Sequence, residues 1–208
     1  LARTLLAGYV VILAASLYSV TSLWGQPSLA AEMWSVYRPD SIRANLHLAA
    51  QLHQDQWHGA ALKVLNETYT ADPKRRTEVG IQALTLACAM HPEVNQAEFA
   101  ETLNRQVKVA RAHPDLPRIL LELQRLLLKE PCTGVPLDMI ERITLSALSN
   151  PAYSGAARSK QNLYAVLTEL AIAQHDFGKT MSYIEESLHI QPSLETLHLA
   201  LKVLIAAG

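Results

Sequence analysis

Ten prolines, Pro27, Pro39, Pro73, Pro92, Pro114, Pro117, Pro131, Pro136, Pro151 and Pro192, set the limits within which this 208-residue chain can fold. Proline lacks the amide hydrogen that a helix interior needs and biases the residue before it away from the α region, so each belongs at a helix start or in a connection. The segments between them suit helices of about 11 to 17 residues. The pattern predicts helices over 28–37, 41–54, 57–70, 76–90, 96–112, 116–129, 136–149, 158–175, 178–190 and 194–206, which is a string of helical hairpins.

Composition decides the class. Half of the residues are hydrophobic but only 6% are aromatic, and Leu and Ala dominate. Strands draw on alternating β-branched and aromatic residues between turn signals, and no stretch sustains that alternation. The expectation is an all-α chain with essentially no sheet. A net charge of −1 provides no field to attract nucleic acid, which is excluded as a partner.

Residues 4–23 (TLLAGYVVILAASLYSVTSL) hold no charge. As a helix they span about 30 Å, the hydrocarbon thickness of a bilayer. Arg3 on one flank and Trp24 on the other suit a cytoplasmic start and an aromatic anchor at the far interface. Two other readings stay open: a signal peptide or single anchor with Ser28-Leu29-Ala30 as cleavage site, and a buried helix of a soluble protein. Since the chain begins with Leu1, it is expected to be a piece of a longer protein. The expected layout is a transmembrane helix at 1–24, a short junction helix at 25–40 and a repeat domain at 41–208.

The segment HDFGKTMSYIEESLHIQPS, residues 175–193, carries Phe177, Tyr183 and Ile184 yet keeps Thr180 and Ser187 small and stops at Pro192. Small residues seven apart on one face are what closely packed antiparallel helices require. Asp40 and Ser193, each following a proline, are candidate caps, with Glu195 in the first turn of the last helix. In that helix Leu194, Leu197, Leu201, Leu204 and Ile205 form one stripe, expected to pack on the preceding helix.

Residues 164–192 resemble a tetratricopeptide (TPR) repeat, whose 34-residue pattern falls here on Tyr164, Leu167, Thr168, Ala171, Thr180, Ile184, Ser187 and Pro192. The same offsets, counted back from Pro73, fall on Asn45, Leu48, Ala49, Leu52, Ala61, Leu65 and Thr68, with Asn45 alone out of character. Pro73 and Pro192 lie 119 positions apart, three steps of about 40 rather than 34, so the middle hairpins have longer joints than the repeat. The resemblance implies an array of antiparallel hairpins, a degenerate TPR-like superhelix, preceded by one transmembrane helix.

The junction SLWGQPSLAAEMWSVYRPDSIRANLHLAAQL, residues 22–52, is similar to the point in multi-pass membrane glycosyltransferases with TPR tails where the last membrane helix gives way to the repeats. The matching positions are Trp24, Trp34, Pro39, Ser41, Arg43 and Ala44. Proteins of the bacterial, transmembrane and TPR-containing O-mannosyltransferase type share this arrangement. The likeness implies a catalytic part upstream, and a tail on the periplasmic side of the inner membrane where acceptor proteins arrive. The rival expectation is an independent anchored TPR scaffold for an envelope assembly such as a pilus or secretion apparatus.

Cys88 and Cys132 are 44 positions apart. In an oxidising compartment they can form one disulfide; the alternative is a buried free Cys88 and an incidental Cys132. His47, His53, His58, His91, His113, His175, His189 and His198 show no HExxH spacing, and no metal site, cofactor or catalytic residue is expected. Glu122, Glu130, Asp138 and Glu141 read as charges on exposed helix faces. Binding is what remains. If first helices line a concave surface, they present Arg43, Leu46, Ala50, His53 and Gln54 from the first hairpin and Asn162, Ala165, Glu169 and Ile172 from the last. That set lacks the Lys and Asn residues with which some TPR modules clamp a C-terminal carboxylate, and suits a protein or peptide segment. The competing reading is a rigid spacer that binds nothing.

Overall fold

The computed structural model describes residues 2–73 and 76–207, with all their side chains except those of 2–5, 23, 24, 154, 195, 202, 206 and 207. The flanks proposed for the membrane segment, Arg3 and Trp24, and the first-turn Glu195 therefore lie outside the described side chains. Twelve helices are described: α1 (Ala2–Trp24), α2 (Pro27–Tyr37), α3 (Ile42–Gln54), α4 (His58–Ala71), α5 (Thr77–Met90), α6 (Ala97–Val107), α7 (Leu116–Lys129), α8 (Asp138–Ser149), α9 (Pro151–Ser154), α10 (Ala157–Ala173), α11 (Phe177–Ile190) and α12 (Leu194–Ala207). Among the described residues there is no strand, only an isolated bridge between Cys132 and Val135. The chain is all-α.

Two compact units divide it, Leu1–Thr68 and Tyr69–Gly208. This split falls inside α4.

In the first unit α1 packs on α2, and α2 on α3. Pro27 opens α2 where its missing amide costs nothing. Among the described residues no single helix is long and apolar enough to cross a membrane; Leu6–Ser22 and Pro27–Tyr37 meet that standard only together, bent by 104°. Along α1, Leu6, Tyr9, Val10, Val11, Ile12, Leu13, Leu17, Tyr18 and Val20 are all exposed. The cap of α3 is Ser41, whose Oγ accepts from Ala44 N at 3.3 Å, in place of the expected Asp40. A short hydroxyl one residue closer to the helix reaches that amide.

In the second unit α5 packs against α6 and α7, α6 against α8, α7 against α8 and α10, and α10 against α11, which α12 follows. The core is aliphatic: Leu84, Leu103, Ile119, Leu120, Leu123, Ile140, Ile143, Leu163, Val166 and Leu167 are fully buried. Gly80 lies where α5 approaches its neighbours most closely, since a Cβ there would stand 2.5 Å from Leu103 Cδ2 and 2.8 Å from the Tyr69 ring. Between α10 and α11 the small residues Thr168, Ala171, Thr180 and Ser187 are buried together with Leu167 and Ile184. His175, at φ 58°, ends α10, and Asp176 Oδ1 then caps α11 by accepting from Lys179 N at 2.9 Å.

Three expectations are corrected here. The helix read over 96–112 stops at Val107, because buried Asn150 draws the carbonyls of Val107 and Ala110 into hydrogen bonds of 2.8 Å each, away from the helix. The same Asn150 accepts from Ala152 N at 2.9 Å and so starts α9, a helical turn where the proline spacing predicts a connection. On α12 the stripe Leu194, Leu197, Leu201, Leu204 and Ile205 is exposed rather than packed; Val203 is buried, beside half-buried Thr196, Leu199 and Ala200. This helix is apolar on two faces, and the smaller side chains of Thr196, Ala200 and Val203 allow the closer approach on theirs. Ser193 does cap it, accepting from Thr196 N at 3.1 Å.

Candidate interaction surface

The residues expected to line a binding face fall in both units, and each set stands on its own. In the first unit Arg43, Ala50, His53 and Gln54 are exposed and Leu46 is half-buried, while Ala44 and Ala49 turn to the interior. In the second unit Asn162, Ala165, Glu169 and Ile172 make an exposed stripe along α10, opposite the buried Leu163, Val166, Leu167, Leu170 and Ala171. The spacing of 3, 4 and 3 residues keeps those four on one helical face.

Helix α7 extends this stripe with Glu122, an exposed charge as expected, and with Arg118 and Arg125, which the sequence alone does not place there. Arg125 Nη2 lies 3.8 Å from Glu169 Oε2, and one turn back on α7 Arg118 pairs with Glu122. Arg118, Glu122 and Arg125 recur at helical spacing, a signal present in the sequence whose neighbour on α10 was not. The charges alternate in sign and compensate one another. Such exposed pairs contribute little to stability, about 0–1 kcal/mol each, and remain exchangeable for pairs with a partner.

Asp138, Glu101 and Glu141 are held separately. Asp138 lies 3.6 Å from Arg142 Nε, and Arg142 also pairs with Glu101 across α6 and α8. The Arg142 hydrogen bond holds the Glu101 carboxyl below its ordinary range. Glu141 accepts from Lys179 Nζ at 2.8 Å and from Tyr183 Oη at 2.8 Å, joining α8 to α11; the Lys179 bond lowers its pKa against the opposing effect of burial. The Glu101–Arg142 and Glu141–Lys179 pairs tie one helix to another, while Asp138–Arg142 lies within α8.

Cys88, buried on α5, is bonded to Cys132 of the α7–α8 connection, with Cα atoms 5.4 Å apart. The connection is also stitched to the α5–α6 loop by backbone: Thr133 N donates to Pro92 O at 2.8 Å and Gln96 N to Thr133 O at 2.9 Å. Among the described residues no group of three or more His, Cys, Asp or Glu is placed to hold a metal ion.

Protein-family models, curated proteins and solved structures yield no match to this chain.

Proposed function

We propose that this chain is a non-catalytic protein-interaction domain of degenerate TPR-like hairpins, tethered through α1 and held on the periplasmic side of a bacterial inner membrane as the C-terminal tail of a polytopic glycosyltransferase. Its task is to recruit or orient an acceptor protein. The observation that carries this reading is the Cys88–Cys132 bond, because such bonds persist in oxidising compartments. The unbroken apolar exposure of α1 supports a tether. Burial of Ala49, Ala61, Leu65 and Thr68 in one hairpin, and of Leu167, Thr168, Ala171, Thr180, Ile184 and Ser187 in the other, agrees with the TPR offsets. The glycosyltransferase assignment rests on the likeness of residues 22–52.

The mixed stripe of Asn162, Ala165, Glu169 and Ile172 beside Arg125 supplies apolar and charged contacts at helical spacing, suited to a peptide segment or helix. A second reading, an independent envelope scaffold, is favoured by one feature: the exposed Leu194, Leu197, Leu201, Leu204 and Ile205 of α12, a face that a neighbouring subunit of an assembly would cover.

Membrane-impermeant thiol labelling of intact cells expressing the full-length parent, with and without reductant, tests compartment and bond together. Labelling of Cys88 and Cys132 only after reduction is expected. Labelling that needs membrane permeabilisation and no reductant would place the repeats in the cytoplasm and overturn the proposal. The reading that this part is non-catalytic fails if residues 25–208, expressed alone, turn over a sugar donor.

A further inference from the structure

The turn between α3 and α4 joins two imidazoles that a continuous helix would hold apart. His53 lies in the last turn of α3, Asp55 ends that helix, and Gln56 takes φ 67°. Trp57 N then donates back to Leu52 O at 2.8 Å, closing the reversal so that His58 opens α4 beside His53. Their Nδ1 atoms stand 2.8 Å apart, with ring centroids 4.6 Å apart and planes inclined by 49°. His53 is exposed and His58 half-buried, so solvent and solutes reach the pair.

We propose that His53 and His58 together bind a divalent transition-metal ion of tetragonal preference, copper(II) or nickel(II), each through Nδ1. Two imidazole nitrogens at the usual bond length of about 2.0 Å from one ion stand about 2.8 Å apart when they occupy neighbouring square-planar positions, and about 3.3 Å apart at a tetrahedral angle. The observed separation is closer to the former, so the pair needs little movement to chelate in that arrangement. Without a metal the close nitrogens are joined by one hydrogen bond, one ring donating and the other accepting. On binding, both rings take the tautomer protonated at Nε2, so the donating ring moves its proton from Nδ1 to Nε2 and the neutral pair releases none. Water supplies the remaining ligands, and no electron transfer is involved.

The surroundings neither forbid nor complete the site. The C-terminus of α3 favours a cation and the N-terminus of α4 opposes it by a similar amount. The Asp55 carboxylate is engaged, with Oδ2 accepting from Ser28 Oγ at 2.7 Å and Oδ1 from Gln51 Nε2 at 3.3 Å.

The test is titration of the full chain in detergent micelles with copper(II) sulfate, followed by electron paramagnetic resonance. One tight equivalent with an axial spectrum and splitting from two nitrogens is expected. Loss of an outer-shell hydrogen bond alone weakens metal sites by about 10–100-fold. His53→Gln and His58→Gln should therefore each lower affinity by at least about tenfold and leave splitting from one nitrogen. His91→Gln and His113→Gln, away from this turn, should change neither. Circular dichroism confirms that the variants fold, which their surface positions favour. The proposal is overturned if the His53→Gln/His58→Gln double variant binds copper with unchanged affinity and spectrum, or if the wild-type chain takes up none at stoichiometric concentration.

Discussion

Tyr183 Oη on α11 donates a 2.8 Å hydrogen bond to Glu141 Oε1 on α8, the same carboxylate that Lys179 Nζ holds through both oxygens. Three side chains thus fasten two helices that are not neighbours in sequence. The Lys179 bond keeps the folded Glu141 pKa below its ordinary value of 4.5, which means the unfolded chain binds the proton more readily. Stability from this group is accordingly present above about pH 4.5 and lost as pH falls through the lowered folded value. Glu141→Gln should be less stable than wild type at pH 7, and the difference should shrink as pH falls below 4.5 through the lowered folded value. Urea unfolding at pH 7 and at successively lower pH values checks this. Burial pushes the Tyr183 hydroxyl up to about 12, so its donated bond persists throughout the neutral range.

Glu78 behaves with the opposite sign. It is almost wholly buried on α5 and its Oε1 has no hydrogen-bond partner. Burial raises its pKa, partly offset by its own backbone amide and by His113 and Arg76. The folded state binds this proton more tightly than the unfolded chain, so stability declines as pH rises from the ordinary value of 4.5 through the raised one. Glu78→Gln removes that penalty. The variant should match wild type near pH 4.5 and exceed it at pH 8 by on the order of 1 kcal/mol. Urea midpoints at both pH values are the measurement, and a variant less stable than wild type at pH 8 would contradict the account.

The helices were legible because proline and aliphatic periodicity act locally: α2, α3, α5, α7 and α11 begin and end within about one or two residues of the positions the sequence implies. What escaped was set by groups far apart in sequence. The end of α6 depends on Asn150, 43 residues downstream of Val107. The packed face of α12 depends on which side α11 approaches, and an apolar helix without a polar face carries no signal for that choice. The His53–His58 pair depends on an αL residue, Gln56, that ends one helix and aims the next. Of the surface stripe, Glu169 could be placed from its periodicity, whereas its partner Arg125 required the packing of α7 on α10.

Asn150 gives a third prediction. Its amide nitrogen serves the carbonyls of Val107 and Ala110 while its oxygen starts α9. Asn150→Ala leaves two buried carbonyls without that donor and uncaps a turn, a loss of about 2–4 kcal/mol. Asn150→Asp should be no better, since a carboxylate would face two carbonyl oxygens. Chemical denaturation of both variants, with the buried Tyr153 of α9 as a near-ultraviolet reporter, reads the effect.

Reduction of Cys88–Cys132 opens a loop of 44 residues, and the loop-entropy model assigns the bond about 4 kcal/mol. The backbone bonds between Thr133, Pro92 and Gln96 remain, so the reduced protein should keep its helical circular dichroism while melting at lower temperature. A melting temperature unchanged by reductant would mean that the unfolded chain is already confined by other contacts.

The same connection contains Gly134, at φ 80°, a conformation that costs a residue with a Cβ about 1–2 kcal/mol. A Cβ there would also run into Asn95 Oδ1 and come within 2.7 Å of Ala97 N. Asn95 Oδ1 is the acceptor for Ala97 N, at 3.0 Å, so the intruding methyl would break the hydrogen bond that satisfies the first amide of α6. Losing that bond adds about 1 kcal/mol. Gly134→Ala should therefore destabilise by about 2–3 kcal/mol. Gly59 provides the contrast: it is the second residue of α4, exposed, with no heavy atom within 4 Å of where a Cβ would stand. Gly59→Ala should stabilise, by about 0.5–1 kcal/mol, through the smaller entropy loss of Ala in a helix. Thermal melts of the two variants side by side separate these causes. If Gly134→Ala melted with wild type, the α7–α8 connection could not be pressed against Asn95 as described, and the disulfide alone would hold it in place.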